Sequence, residues 1–184
     1  IYDIDDQWSW YTSYAQIFNA QGNYVDASGS PLSPSSGDNY ETGIKGALFD
    51  SRLNLSMALF YIKQTDVALV DTANVDCFSN DSSGTCYVNG TIKRSKGIDI
   101  EASGEVLPGL QVFGGYTWMD SELVAGAYNN VNVGDPLANT PEHSFILFTT
   151  WRVIPSLSVG GGVYHLSDSF GGTQGGAGGG ANRI

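Results

Sequence analysis

Two acidic side chains with a regular spacing are the first residues of this sequence that could do chemistry. Asp99 and Glu101 lie two positions apart, so in a β-strand both carboxylates point to the same face. Paired carboxylates act as acid and base in glycosidases, but no surface for a sugar substrate accompanies this pair. Glu41 and Lys45 lie four positions apart in another predicted strand, and both are predicted to point to the same face of the sheet as Asp99 and Glu101. We therefore expect these four residues to form an ion network on a wet surface.

The histidines and the glycine-rich end of the sequence are the next candidates. His143, His165 and Asp168 do not suggest a nucleophile site, because no G-x-S-x-G motif is present and the histidines are predicted near opposite ends of a strand pair. Residues 176–181 fit G-x-G-x-x-A, yet no helix pattern follows that could bind an anion. The sequence therefore favours neither an enzyme nor a metal site.

The two cysteines flank a stretch rich in turn-forming residues, CFSNDSSGTC. Cys77 and Cys86 could close a loop disulfide, which would contribute about 3 kcal/mol in the chain-entropy model if the compartment is oxidising. The alternative is a pair of reduced loop thiols. No further Cys or His lies nearby in the sequence to complete a metal site.

The charge balance limits the possible partners. Eight Lys and Arg stand against 19 Asp and Glu, for a net charge of -11, so no basic surface is available to neutralise nucleic-acid phosphates. Basic residues are absent from residues 1–44, 64–92 and 97–151. The 24 glycines and the 12% aromatic residues favour strands and turns, and no apolar run is long enough for a transmembrane helix.

The stretch 39–63 shows what kind of sheet these strands form. Alternate positions from Leu53 to Tyr61 are apolar, whereas Asn54, Ser56 and Ala58 are small or polar. A sheet in a soluble protein would turn the apolar side to a core, and a transmembrane barrel would turn it to lipid.

The spacing of turns distinguishes these two possibilities. Short turns are predicted near residues 5, 50, 108 and 155, and long loops over 19–38, 64–92 and 122–140. In an up-and-down antiparallel meander, all short turns then lie at one end of the strands and all long loops at the other. Outer-membrane barrels show this asymmetry, with strands of about ten residues and aromatic side chains near the strand ends.

Seven short stretches carry a resemblance to a known family. In its order and spacing, the chain resembles the C-terminal half of the barrel of TonB-dependent siderophore receptors. The stretches are 14–21 (YAQIFNAQ), 39–46 (NYETGIKG), 49–54 (FDSRLN), 58–60 (ALF), 96–101 (KGIDIE), 115–117 (GYT) and 139–145 (NTPEHSF).

The resemblance implies an all-β fold, with residues 1–184 forming about seven strands of a 22-stranded outer-membrane barrel that encloses an N-terminal plug. Such a receptor binds a ferric siderophore outside the cell and imports it with energy from TonB, which contacts the plug. The long loops would be extracellular, and outer-membrane lipid and lipopolysaccharide would surround a monomer. Neither a covalently bound cofactor nor enzyme activity is expected.

Aromatic side chains at the predicted extracellular strand ends and loops are the expected ligand contacts, because aromatic faces suit a bulky chelate. The candidates are Phe18, Tyr24, Tyr87, Trp118 and Tyr128. The absence of Lys and Arg from the long loops favours a neutral or cationic hydroxamate-type siderophore over a polyanionic catecholate.

Two alternatives to a siderophore receptor remain at this stage. One is a TonB-dependent receptor for another cargo, such as a cobalamin or a glycan. The other is a soluble, secreted β-rich binding domain, for which Asn54, Asn80 and Asn89 offer N-x-S/T glycosylation sequons. A glycan on Asn54 would exclude a barrel, because that residue lies within a predicted lipid-spanning strand.

Overall fold

The computed structural model describes residues 1–74, 84–127 and 131–171. Within these ranges the chain is built from eight β-strands. They are β1 (Tyr2–Asp3), β2 (Trp8–Asn19), β3 (Ser35–Leu48), β4 (Leu53–Val70), β5 (Tyr87–Leu107), β6 (Leu110–Ala125), β7 (His143–Ile154) and β8 (Leu157–Leu166). The part of the chain that the structure describes has no helix with the length and apolar character needed to cross a membrane.

The strands form one antiparallel sheet in which each strand pairs with its neighbours in sequence. The short connections, at residues 4–7, 49–52, 108–109 and 155–156, lie at one end of the sheet, and those at 20–34, 71–86 and 126–142 lie at the other. This confirms the predicted meander. We call these the short-turn end and the long-loop end.

The turn between β3 and β4 has an unusual backbone. The turn contains Phe49, Asp50 and Ser51, which all have a positive φ near 60°. Residues other than glycine rarely adopt this backbone conformation. Arg52 supports the turn, because its backbone amide and its Nε both donate to the carbonyl of Phe49, at 3.3 and 2.9 Å.

The strand register gives the sheet two chemically different faces. Met57 of β4 lies opposite Ile44 of β3 and Ile100 of β5 on one side, which we call the apolar face. The preceding residue, Ser56, lies opposite Lys45 and Glu101 on the other side, which we call the polar face. The alternation predicted from Leu53 to Tyr61 is therefore confirmed, and it continues across neighbouring strands.

Glycines on the polar face make room for large side chains from neighbouring strands. A Cβ on Gly43 would lie 2.8 Å from the ring of Tyr11, and one on Gly97 would lie 2.6 Å from the ring of Phe60. Each ring thus lies over a glycine of the next strand. Phe113 also has the register of the polar face, where it lies opposite Phe148.

The strands reach further at the long-loop end than the sequence predicts. The loop predicted over 64–92 is wrong at both ends, because β4 continues to Val70 and β5 begins at Tyr87. Two register shifts, between Gln64 and Val67 and between Val67 and Ala68, allow this extension. Asp66, at φ 60°, lies at the irregularity.

The most deeply buried apolar side chains lie towards the long-loop end. Leu123 and Cys86 are 0% and 1% exposed, and Val25 and Val131 are 6% exposed. On the apolar face, by contrast, Leu59 and Ile100 are 48% and 42% exposed. The sheet therefore does not bury its apolar face within the described residues, so that face must meet another apolar environment.

The predicted separation of the two histidines is wrong. The hairpin of β7 and β8 brings both to the long-loop end, with His165 opposite Phe145 and the amide of Ser167 donating to the carbonyl of His143. Within the described residues, no group of three or more His, Cys, Asp or Glu is arranged to hold a metal ion.

Replacing Leu55 with Arg in the intact protein tests the orientation of the sheet. If the apolar face meets lipid, a charge there is unfavourable, by about 2–4 kcal/mol at the bilayer midplane and less towards the membrane surface, so assembly of the barrel should be impaired. Heat-modifiable migration on a denaturing gel measures assembly. The control is Ser56→Arg, on the polar face beside Glu101, which should assemble normally. Normal assembly of the Leu55 variant would contradict the lipid assignment.

Candidate functional site

The polar face carries a group of acidic and hydroxyl side chains from five neighbouring strands. The Tyr11 hydroxyl donates to Glu41 Oε1 at 2.5 Å. Further along the sheet, Thr117 Oγ1 donates to Asp99 Oδ1 at 2.6 Å, and Ser56 Oγ approaches Glu101 Oε2 at 3.4 Å. Each carboxylate thus has a hydroxyl partner that holds it in place.

These side chains line one recess of about 410 Å³ in the polar face. Its residues are Tyr11, Glu41, Lys45, Ser56, Ala58, Phe60, Asp99, Glu101 and Thr117. The structure therefore brings together all four residues of the ion network expected from the sequence.

The contacts of Lys45 differ from those expected of an ion network. Lys45 makes no ion pair within 4.0 Å in the described part of the chain, and its Nζ lies instead 4.8 Å from the centre of the Tyr11 ring. Three carboxylates and one ammonium leave the recess negative, which suits a cationic partner group rather than a catalytic acid and base.

At the long-loop end, the connection 20–34 packs against the ends of β4 and β5, and we call this assembly the loop cluster. The rings of Tyr24 and Tyr87 meet edge to face, with centroids 4.7 Å apart. The Tyr87 amide donates to the carbonyl of Val25 at 2.9 Å. These two aromatic candidates are therefore in contact.

One buried side chain holds the loop cluster on the sheet. Gln21, 6% exposed, donates from Nε2 to the carbonyls of Ser33 and Asp66, at 2.9 and 2.8 Å. Its Oε1 accepts from the amide of Ala68 at 2.7 Å. Gln21 thereby satisfies two backbone groups at the irregularity in β4 and one in the connection 20–34, and replacing it would take this partner from the Asp66 carbonyl and the Ala68 amide.

Carboxylates of the long connections are also held by local hydrogen bonds. The Ser28 hydroxyl and the amides of Ser28 and Ser30 donate to Asp26 Oδ1, and these bonds, the hydroxyl above all, hold the pKa of Asp26 below its usual value. Asn74 similarly lowers the pKa of Asp71 through a side-chain bond of 2.7 Å. Both carboxylates keep the rim of the sheet negative at neutral pH.

The other aromatic candidates lie elsewhere. Phe18, 76% exposed, has the register of the apolar face. Trp118 also lies on that face, where its Nε1 donates to Glu142 Oε1 at 3.0 Å. Tyr128 is outside the described residues. Of the four candidates that the structure describes, Tyr24 and Tyr87 are the two whose rings meet.

Cys77, one of the two residues of the predicted disulfide, also lies outside the described residues. Cys86 is 1% exposed, next to the strand β5. The pairing of the two cysteines stays a prediction.

Comparison with known proteins defines the class. Residues 1–182 match the family model described as TonB dependent receptor-like, beta-barrel. The chain therefore belongs to the TonB-dependent receptor family of outer-membrane β-barrels.

Individual relatives agree with this membership. The chain is 37% identical to the ferric-pyoverdine BN7/BN8 receptor of Pseudomonas putida over 166 residues, which are 88% of this chain and 18% of that receptor. It superimposes with a TM-score of 0.75 on the pyoverdine outer membrane receptor FpvA of Pseudomonas aeruginosa PAO1 bound to pyoverdine, at 34% identity, over 92% of this chain and 24% of FpvA. With the ferric-catecholate import receptor Fiu of E. coli K12, the TM-score is 0.79 at 25% identity, over 96% of this chain and 25% of Fiu.

The chain spans about a fifth of the length of the curated relatives it matches. The family membership also removes the soluble secreted domain as an alternative. The apolar face is then the lipid-facing side of the barrel wall, and the polar face lines the barrel interior.

Replacing Gln21 with Ala tests its role in the loop cluster. The amide of Ala68 would lose its acceptor, so its hydrogen exchange in the intact receptor should become at least about fivefold faster, since a lost hydrogen bond costs about 1–3 kcal/mol. Gln16→Ala, an exposed residue of β2, should leave this exchange unchanged. Equal protection of Ala68 in both variants would show that Gln21 does not hold the cluster.

Proposed function

We propose that the whole protein imports a ferric siderophore across the outer membrane, with energy that TonB supplies. The observation that carries this proposal is the match of almost the whole chain to pyoverdine receptors, in sequence at 37% identity and in structure at a TM-score of 0.75. In this proposal the chain supplies part of the barrel wall, and the siderophore and TonB are its partners. The long connections face the outside of the cell.

The charge of the long connections supports a neutral or cationic chelate as the cargo. None of the connections 20–34, 71–86 and 126–142 contains Lys or Arg, and their carboxylates include Asp26 and Asp71, which stay ionised at neutral pH. A polyanionic catecholate would be repelled by this rim. The fold alone does not distinguish between these classes of chelate, because the ferric-catecholate receptor Fiu has the same fold.

Tyr24 and Tyr87 are the strongest candidates for contact with the chelate. Their edge-to-face pair is part of the loop cluster, which Gln21 fixes to the sheet. Two rigid aromatic rings offer a large contact area at a small entropic cost. A cobalamin or a glycan as cargo remains the alternative, and the uptake experiment below distinguishes them.

The recess in the polar face has a second partner in this proposal. It would contact the plug, which the resemblance places inside the barrel. Because Glu41, Asp99 and Glu101 outnumber Lys45, the facing surface of the plug should present Lys or Arg. Hydrogen bonds from Tyr11 and Thr117 already fix the carboxylates of Glu41 and Asp99, so these side chains lose little entropy when they contact the plug.

Uptake of radiolabelled iron by cells that carry only this receptor tests the transport function. Uptake should be observed with a ferric hydroxamate chelate, be at least about tenfold lower with a ferric catecholate, and be lost in a strain without TonB. Equal uptake of a catecholate would contradict the proposed cargo class alone. Uptake of a cobalamin or a glycan without any uptake of iron chelates would contradict siderophore transport.

The double substitution Glu41→Gln and Glu101→Gln in the intact receptor tests the plug contact. Loss of two carboxylates opposite basic groups should loosen the plug, which a faster proteolysis of the N-terminal region from the outside would measure. Asp120→Asn removes a carboxylate from the apolar-face register of β6 and is the matched control. Identical proteolysis of the double variant and the wild type would exclude a contribution of these carboxylates.

A further inference from the structure

The surface that lines the barrel interior carries a group of large apolar side chains on β6, β7 and β8. Phe113 of β6 lies opposite Phe148 of β7, and Ile146 of β7 lies opposite Tyr164 of β8. They are 57%, 50%, 40% and 65% exposed, in that order. We call these four residues the inner apolar patch. Contiguous apolar surface that faces a wet interior marks a site of contact.

The same rows of the sheet become polar when they are followed into β5, β4 and β3. The row that begins at Tyr164 and Ile146 continues with Gly115, Glu101, Ser56 and Lys45. The row that begins at Phe148 and Phe113 continues with Ser103 and Asn54. The inner surface of this part of the wall therefore has an apolar sector beside a polar one.

The polar sector is also hollow. The recess of about 410 Å³ adjoins a second recess of about 640 Å³, and the two share Lys45, Ser56 and Glu101. The second recess extends to the short-turn end, where Asp3 and Asp6 line it. We call the two recesses together the inner groove. In the proposed function it leads from the middle of the wall to the periplasmic end of the barrel.

The inner apolar patch is held in place by close packing. A Cβ on Gly162 of β8 would lie 2.8 Å from Cδ2 of Phe148, so the ring occupies the space that the glycine leaves. Because the ring is fixed by a neighbouring strand, the patch offers a preformed surface to a partner.

We propose that the plug stays bound to the inner apolar patch during transport, while the ferric chelate crosses the barrel along the inner groove. This rests on siderophore import and on the internal plug of the proposed function. The patch has the register of the polar face, so membrane lipid does not reach it. The plug is the partner that the barrel interior contains.

The two sectors should release the plug with different ease. When the plug moves away from polar groups such as those of Ser56 and Glu101, water can replace its hydrogen bonds, so the net loss of free energy is small. When it moves away from Phe113 and Phe148, their apolar surface becomes exposed to water, which is unfavourable in proportion to the area. A pull through TonB should therefore open the inner groove first.

The charge of the inner groove suits the proposed cargo. Lys45 is the basic residue among those that line it. The carboxylates that line it are those of Asp3, Asp5, Asp6, Glu41, Asp99 and Glu101. This excess of negative charge attracts a cationic chelate and repels a polyanionic one. The groove therefore has the same preference as the long connections at the other end of the barrel.

Photo-cross-linking in cells that carry the intact receptor tests both parts of the proposal. A phenylalanine that bears a benzophenone group is introduced singly at position 148 in the patch, at position 58 in the groove, or at position 147 on the lipid-facing side. After irradiation, cross-linked peptides are identified by mass spectrometry. Positions 148 and 58 should cross-link to the plug, whereas position 147, the control, should not.

Uptake of a ferric hydroxamate chelate with radioactive iron is measured for each variant before and after irradiation. Cross-links from position 148 should leave uptake unchanged, because the plug stays bound there. Cross-links from position 58 should lower uptake in proportion to the cross-linked fraction, because they hold the groove closed. Heat-modifiable migration confirms assembly of each variant.

Three results would overturn the proposal. They are the absence of cross-links between position 148 and the plug, a loss of uptake when position 148 is cross-linked to the plug, and undiminished uptake when position 58 is cross-linked to it.

The variant F148S/Y164S tests the patch without cross-linking. Loss of two aromatic contacts should loosen the plug, so that a large hydrophilic antibiotic, which the intact outer membrane excludes, enters cells that lack TonB. Thr150→Ser, on the same face of β7, is the matched control and should keep the antibiotic out. Full exclusion by the assembled double variant would contradict the plug contact.

The cross-links from position 148 and the exclusion of the antibiotic do not depend on the cargo. If both gave the expected results but the wild type imported no iron chelate, siderophore transport would be contradicted and the contact between the plug and the patch would stand.

Discussion

The antiparallel register of β3, β4 and β5 is the constraint on which the rest of the structure depends. Because side chains alternate along a strand, this register places Met57 between Ile44 and Ile100, and Ser56 between Lys45 and Glu101. A slip of one residue in β4 would turn its polar residues to lipid and its leucines to the barrel interior. The lipid-facing surface and the recess both follow from this one alignment.

The two ends of the sheet are built in different ways. At the short-turn end, chain reversal needs only a few residues, such as the three with positive φ between β3 and β4. At the long-loop end, Gln21 binds three backbone groups, and the side chains of Val25 and Cys86 are buried beside it. The loop cluster therefore has a small core of its own, which can hold Tyr24 and Tyr87 rigidly where a chelate would arrive.

The meander is predictable from local sequence patterns, because period-two alternation and turn-forming residues can each be recognised within a few neighbouring positions. The alternation from Leu53 to Tyr61 and the turn near Asp50 are of this kind. The extension of β4 past Asp66 was missed because it depends on Gln21, 45 positions away, and turn-forming residues there suggested a loop. Which side chains of different strands meet in the recess depends on the register between strands, and the faces on which Phe18 and Trp118 lie depend on the alternation at the strand ends.

A scan of single spin labels along β4 of the intact receptor tests the register most directly. Cysteine is introduced in turn at positions 54–61 and labelled, and collisions with oxygen and with a water-soluble paramagnetic reagent are measured. A period of two is expected, with positions 55, 57, 59 and 61 accessible to oxygen in lipid and the even positions shielded from it. The opposite phase, or no period, would contradict the assignment of the two faces.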